Sequence, residues 1–218
     1  PLSSLTTVGG SLFIEDNSAL SSLHGLENLT SVGADLYLTA NSALESIIGL
    51  DNLSTIEGSL TIQDNETLTN IDGLENLTYI GEGFYLLRNE QVSNLDGIAS
   101  LTTASAVVLE QLDMLTNVDG LASLASTFTL IIQDANALTN VDGLENLTAI
   151  GNDLTIIGNG AISNIDGLQN LTTVGNTFSI DDNDALENVD GLTNLTSVGN
   201  NLDIKYNATL FDVSGLDS

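Results

Sequence analysis

Oxygen is the ligand chemistry this chain offers most freely. Acidic turns recur at Glu15-Asp16-Asn17, Gln63-Asp64-Asn65 and Asp181-Asp182-Asn183-Asp184, and carboxylates and amide oxygens are the groups calcium takes. None of these turns follows the spacing of an EF-hand or of the calcium-binding nonapeptide repeat, so a solvated acidic rim is the expected role. Asp181, Asp182 and Asp184 form the best candidate metal set, with Ca2+ the only cofactor the residues suggest. Groups for covalent or acid-base chemistry are scarce. His24 is the single histidine and cysteine is absent, while the carboxylates are spread along the chain and not gathered around a distinct motif. The expectation is that the protein is not an enzyme.

The elements that position these residues are repeats. Gly-Leu or Gly-Ile pairs at Gly25, Gly49, Gly73, Gly97, Gly120, Gly143, Gly167, Gly191 and Gly215 are spaced by 24 residues, shortened to 23 only after Gly97 and Gly120. A fixed period of this length marks a solenoid, whose coils cannot bury their apolar faces alone and stack on their neighbours. The expected architecture is a β-rich array of nine coils with parallel strands. It spans residues 1–218 as one unit, with coils starting at 1, 25, 49, 73, 97, 120, 143, 167 and 191. The last residues, Gly215 to Ser218, begin another coil, and neither end carries a distinct capping sequence. The chain therefore reads as a segment of a longer protein.

Within a coil the apolar positions face inward. In the coil from Gly73 they are Leu74, Leu77, Ile80, Phe84, Leu86, Val92 and Leu95. Only the step from Phe84 to Leu86 has the period of two that marks a strand, and the other steps suit short arms or tight turns. The glycines at the ninth position or beside it, among them Gly33, Gly58, Gly81 and Gly175, are expected at a corner whose backbone other residues would strain to adopt. Asp before the Gly-Leu pair, followed by Glu as in Asp72 to Glu75, reads as a capping box. The column Asn17, Asn41, Asn65, Asn89, Asn159, Asn183 and Asn207 is expected to form a ladder of amides that satisfies buried backbone groups from coil to coil.

Thirty acidic residues against one Lys and one Arg give a net charge of −28. Such a surface repels nucleic acid and anionic membranes. No apolar run reaches the length of a membrane span.

The string G-L-x-N-L-T-x-I-G-x-x-L-x-I-x-x-N-x-x-L, nearly unbroken from Gly143 to Asp190, resembles the leucine-rich repeats of the receptor L domain and related arrays in fungal cell-wall and bacterial surface proteins. That resemblance implies a right-handed solenoid and a secreted or cell-surface, non-enzymatic role. The lack of cysteine favours a microbial surface protein over a hormone receptor. The function so implied is an extracellular scaffold, stalk or adhesin that contacts protein or glycan, or assembles end to end into a filament. A ligand-binding receptor ectodomain is one alternative.

Two surface features bear on that role. The outward residues of the Leu-x-Ile strand form the column Phe13, Tyr37, Thr61, Tyr85, Val108, Ile131, Thr155, Ser179 and Asp203, and beside it runs a second from Glu15 to Lys205. Tyr85, Leu87, Val108 and Ile131 would cluster there as an apolar patch, the candidate partner site, although β-branched and aromatic residues also simply favour strands. The repeat breaks in the same region, where Leu112 and Ala135 replace the ladder Asn, and Ser100 and Ser123 replace the Asn of Asn-Leu-Thr. Second, columns of Thr such as Thr30, Thr78, Thr102 and Thr172, with Thr7, Ser31 and Thr55 beside them, raise the alternative of an ice- or crystal-surface binder, provided the hydroxyls lie flat and regular; their place between inward residues three apart predicts a corner instead of a flat strand. Eight Asn-x-Ser/Thr sequons, at Asn28, Asn52, Asn65, Asn76, Asn146, Asn170, Asn194 and Asn207, mostly restate the repeat.

Overall fold

The computed structural model describes residues 2–217. Pro1 and Ser218, the outermost positions of the predicted array, lie outside the described residues. The rest is a parallel β-solenoid. Its main wall is a nine-stranded sheet in which each strand pairs with that of the next coil. The strands are Leu12–Glu15, Leu36–Thr39, Leu60–Gln63, Gly83–Leu87, Ala106–Glu110, Thr129–Gln133, Leu154–Ile157, Phe178–Asp181 and Leu202–Lys205. Alternation along each strand sends Leu36 and Leu38, for example, fully inward while Tyr37 and Thr39 stay partly exposed.

A second wall has no signature in the sequence. Two-residue strands run at Thr7–Val8, Ser31–Val32, Thr55–Ile56 and Tyr79–Ile80, and again at Ser126–Thr127, Ala149–Ile150, Thr173–Val174 and Ser197–Val198. Two residues are too few to show a period. Between the two groups only the bridge from Tyr79 to Thr103 continues the wall, in the coil that has lost a residue. The apolar interior is continuous from Leu23 to Leu192, so stacking supplies the core that no coil could form by itself.

The corners are built differently from expectation. Positive φ falls not at the ninth-position glycines but at the residue just past each long strand: Asp16, Ala40, Asp64, Arg88, Gln111, Asp134, Gly158, Asp182 and Tyr206, with φ between 52° and 72°. Asp tolerates this left-handed region better than most residues, but Ala, Arg, Gln and Tyr adopt it too, because the stacked neighbours on either side dictate the turn. The ninth-position glycines serve close approach instead. A Cβ on Gly33 would lie 2.5 Å from the Gly9 carbonyl oxygen, and one on Gly81 or Gly175 would overlap the carbonyl of the preceding coil.

The capping expectation is also corrected. Asp96, Asp119, Asp142, Asp166 and Asp190 open short 3-10 helices, and none of these helices has a side-chain hydrogen bond from its N-cap residue. The Asn two residues before the Asp closes the turn instead, Asn94 and Asn140 each accepting from the Asp N–H at 3.0 Å. In the first coils Glu27, Asp51 and Glu75 accept from the N–H of Gly25, Gly49 and Gly73, and these glycines sit at φ 110°, 120° and 109°. There the carboxylate serves a flipped turn and not a helix cap. The Gly25 N–H bond also holds the Glu27 carboxyl below its usual range.

Candidate functional site

The outward face of the long sheet carries columns fixed by register. The middle column pairs Phe13 with Tyr37, Tyr37 with Thr61, Thr61 with Tyr85, Tyr85 with Val108, Val108 with Ile131, and onward through Thr155 and Ser179 to Asp203. Two residues on, Gln63, Leu87, Glu110, Gln133 and Ile157 follow one another in the same way. Tyr85, Val108 and Ile131 are thus direct neighbours, and Leu87 flanks them between Gln63 and Glu110. All four are partly exposed.

The aromatic part of this face extends further than the four-residue patch. Phe13 and Tyr37 stack with ring centroids 5.0 Å apart and planes 2° from parallel, and Phe13 is 59% exposed. The types in the column were legible, but the ring orientation was not. Tyr85 lies across Gly83, where a Cβ would collide with the ring, so a glycine in the strand makes room for the phenol over its own strand. Partial burial, then the carboxylates of Asp35, Glu15 and Glu82, push the Tyr37 phenol above its usual range. Asp35 is held in place, accepting from the Ser59 N–H at 2.8 Å and from the Ser11 hydroxyl at 3.4 Å. The remainder of the column, Thr155, Ser179 and Asp203, is small and polar.

The Asn column lies beyond the C-terminal ends of these strands. Asn41, Asn65, Asn89, Asn159 and Asn183 are fully buried. Each Oδ1 accepts from the backbone N–H of the ladder position one coil earlier, as in Asn41 to Asn65 at 3.2 Å and Asn65 to Asn89 at 3.0 Å. Each Nδ2 donates to a strand carbonyl of the coil before, Asn65 to Leu38 at 2.9 Å and Asn89 to Ile62 at 2.8 Å. Asn17 and Asn207 end the run, the Asn17 N–H donating to Asn41 and the Asn207 amide to the Ile180 carbonyl. At Leu112 the side-chain ladder stops, and it resumes where the Ala135 N–H donates to Asn159 at 2.9 Å. The three strands around the gap, Gly83–Leu87, Ala106–Glu110 and Thr129–Gln133, each gain a fifth residue. Buried Thr127 adds hydroxyl bonds to the Ala104 and Ser105 carbonyls. Extra sheet pairing and a hydroxyl thus accompany the loss of amides.

A second amide column, one that sequence reasoning missed, lies on the surface. Asn28, Asn52, Asn76, Asn146, Asn170 and Asn194 donate to carbonyls of the preceding coil at 2.6–2.9 Å, and the Ser123 hydroxyl substitutes at 2.7 Å. Six of the eight sequons are therefore exposed stacking residues. Asn65 and Asn207 belong to the inner ladder, Asn65 fully buried. The Thr column behaves alike. Thr30, Thr102, Thr172 and Thr196 turn their hydroxyls onto the carbonyl one coil back at 2.9–3.0 Å, which commits the donors inside the protein. The neighbouring column, Thr7, Ser31 and Thr55, lies on the two-residue strands and not at a corner.

The candidate calcium residues are not brought together. Asp181 points outward from its strand beside Lys205, Asp182 forms the left-handed corner, and Asp184 is exposed one residue past the ladder Asn183. Among the described residues no group of three or more His, Cys, Asp or Glu could hold a metal ion. His24 is exposed and lies 3.5 Å from Glu27.

No protein-family model matches the chain, and no curated protein matches it. Among solved structures it is similar to an internalin from Listeria monocytogenes, with 18% sequence identity over 97% of this chain and 87% of that one and a TM-score of 0.28. The stacked coils themselves show a parallel β-solenoid. Among the described residues no helix is long and apolar enough to cross a membrane.

Proposed function

We propose that the protein is a non-enzymatic interaction scaffold, of the receptor L-domain type and displayed outside the cell, whose outward sheet face adheres to a partner protein. One observation carries this reading. The inward columns of the long sheet stay aliphatic or Phe from the first coil to the last, whereas the outward column, on the same strands, changes from aromatic and aliphatic to small and polar after Ile131. Packing constrains the first and leaves the second free, so an apolar stretch outside, interrupted only by Thr61, marks contact. Tyr37, Tyr85, Val108 and Ile131 are the residues expected to be buried by the partner, with Leu87 at the edge.

The test is position-dependent photocrosslinking. A crosslinking side chain replaces Thr61 in the aromatic stretch, Thr155 in the polar stretch, or Thr172 outside the long sheet, and each protein is presented to source cells and their extract. A discrete adduct from residue 61, competed by unmodified protein and missing from residue 172, is expected. Equal labelling from all three positions would remove the proposed face.

A further inference from the structure

The outward face holds a slot one strand wide. Phe13 covers one face of Tyr37, so the other face of the phenol looks away from Phe13, toward the next strand, where the register places Thr61. Tyr85 closes the far side on the strand after that. Tyr37 and Tyr85 are thus two strand spacings apart, about 9.6 Å, with only a threonine between them. That leaves room for a flat or slender group against the open face of Tyr37, with the Tyr85 phenol, seated over Gly83, beyond it.

The charge around the slot has one sign. Asp35 precedes Tyr37 by two residues and so shares its face, accepting from the Ser59 N–H at 2.8 Å, and Glu82 meets the Ser59 hydroxyl at 3.3 Å. Glu15 stands behind Tyr37 on the Phe13 strand, bonded to the Thr39 hydroxyl at 3.0 Å. The chain has two side-chain cations outside His24, and both are committed elsewhere. Arg88 forms a double hydrogen bond to Asp64 at 2.7 and 2.8 Å, and Lys205 contacts Asp203 at 2.7 Å at the far end of the sheet. Among the described residues no side-chain cation neutralises the slot.

Resting on the reading of this face as a protein-contact surface, we propose that the slot over Thr61 takes an arginine or lysine side chain of a basic partner protein. The open ring face of Tyr37 holds the cation, the Tyr85 phenol bounds the slot on the far side, and Asp35 and Glu82, both bonded to Ser59 on the slot's own strand, supply the opposing charge. Val108 and Ile131 then cover the apolar residues that follow in the partner.

The experiment is an NMR titration of the full chain, at about 150 mM salt to screen diffuse attraction, with the peptide Arg-Ile-Arg-Ile and its citrulline counterpart, which keeps the shape and loses the charge. The Arg peptide is expected to shift backbone amides on the strands of Tyr37, Thr61 and Tyr85. The citrulline peptide should bind at least tenfold more weakly. Tyr37→Leu, which keeps an apolar side chain on the face and removes the ring, should weaken the Arg peptide by a similar factor while its own spectrum shows the fold intact. Should the citrulline peptide bind these strands equally well, the face would still be a contact surface but the cation slot would be wrong. Shifts spread over acidic corners such as Asp142 and Asp182, or no binding by either peptide, would also overturn it.

Discussion

Leu109 and Val108 are one peptide bond apart and answer to different constraints. Leu109 points into the stack, is fully buried, and continues a column that reads Ile14, Leu38, Ile62, Leu86, Leu109, Ile132, Ile156, Ile180, Ile204. Val108 points out, and its column runs from phenyl through phenol and isopropyl to carboxylate. Coils stacked at strand spacing leave no slack inside, so the interior repeats. Outside, the same register only sets distances, and chemistry is free to vary. What distinguishes this protein from a uniform rod is therefore written on the outward face.

The sharpest contrast is energetic. Leu109→Ala should cost about 2–5 kcal/mol, a transfer loss plus a cavity that rigid stacked neighbours cannot fill. Asn65→Ala should cost about 2–4 kcal/mol, since it strands the Asn41 N–H and the Leu38 carbonyl inside the protein. Val108→Thr should stay within about 0.5 kcal/mol. Urea unfolding of the three variants checks the order, and a Val108 variant as damaging as Leu109→Ala would erase the distinction between the two faces.

The ladder gap offers a subtler test. Leu112→Asn alone gives up a buried leucine, and Ala135→Asn alone gains an amide without its full set of partners. Together they would reconnect Asn89 to Asn159. A double-mutant cycle should show favourable coupling of roughly 1 kcal/mol, and strict additivity would mean that the side-chain ladder carries no cooperativity of its own.

Charge should modulate stability less. Burial raises the carboxyls of Asp72 and Asp142 above the ordinary 3.8, with stacked acidic neighbours adding to it. A carboxyl whose folded pKa is raised favours the folded state when protonated, so its penalty is present at neutral pH and fades as pH falls toward that pKa. Asp64 runs the other way. Arg88 lowers it, and that contribution is present above 3.8 and lost as pH falls below it. With a net charge of −28, the melting temperature should rise on going from pH 7 to about 5, and with added salt at pH 7, then fall in stronger acid. Thermal melts across pH and salt check both slopes.

Much of this organisation was legible because a 24-residue period, corrected by one residue after Gly97 and Gly120, assigns each residue to a column from the order of residues alone. The paired columns from Phe13 and Glu15 follow directly. Features without a side-chain signature stayed hidden. The two-residue strands have no period, and the left-handed corner accepts Ala40, Arg88 and Tyr206 as well as Asp16, so stacking and not residue type sets its backbone. The Asn caps were masked by the neighbouring Asp residues, which look like better caps in isolation. The Phe13–Tyr37 stack depends on rotamers, on which a column of names is silent.

The central claim is that the outward face binds and the inward face holds the fold. Its most direct test is the crosslink yield from residue 61 in the variant Tyr37→Ser/Tyr85→Ser/Val108→Ser, measured at a temperature where melting shows it folded. The account predicts a melting point lowered by only a few degrees and a crosslink reduced at least tenfold. A folded variant that crosslinks as well as the unmodified face would contradict it.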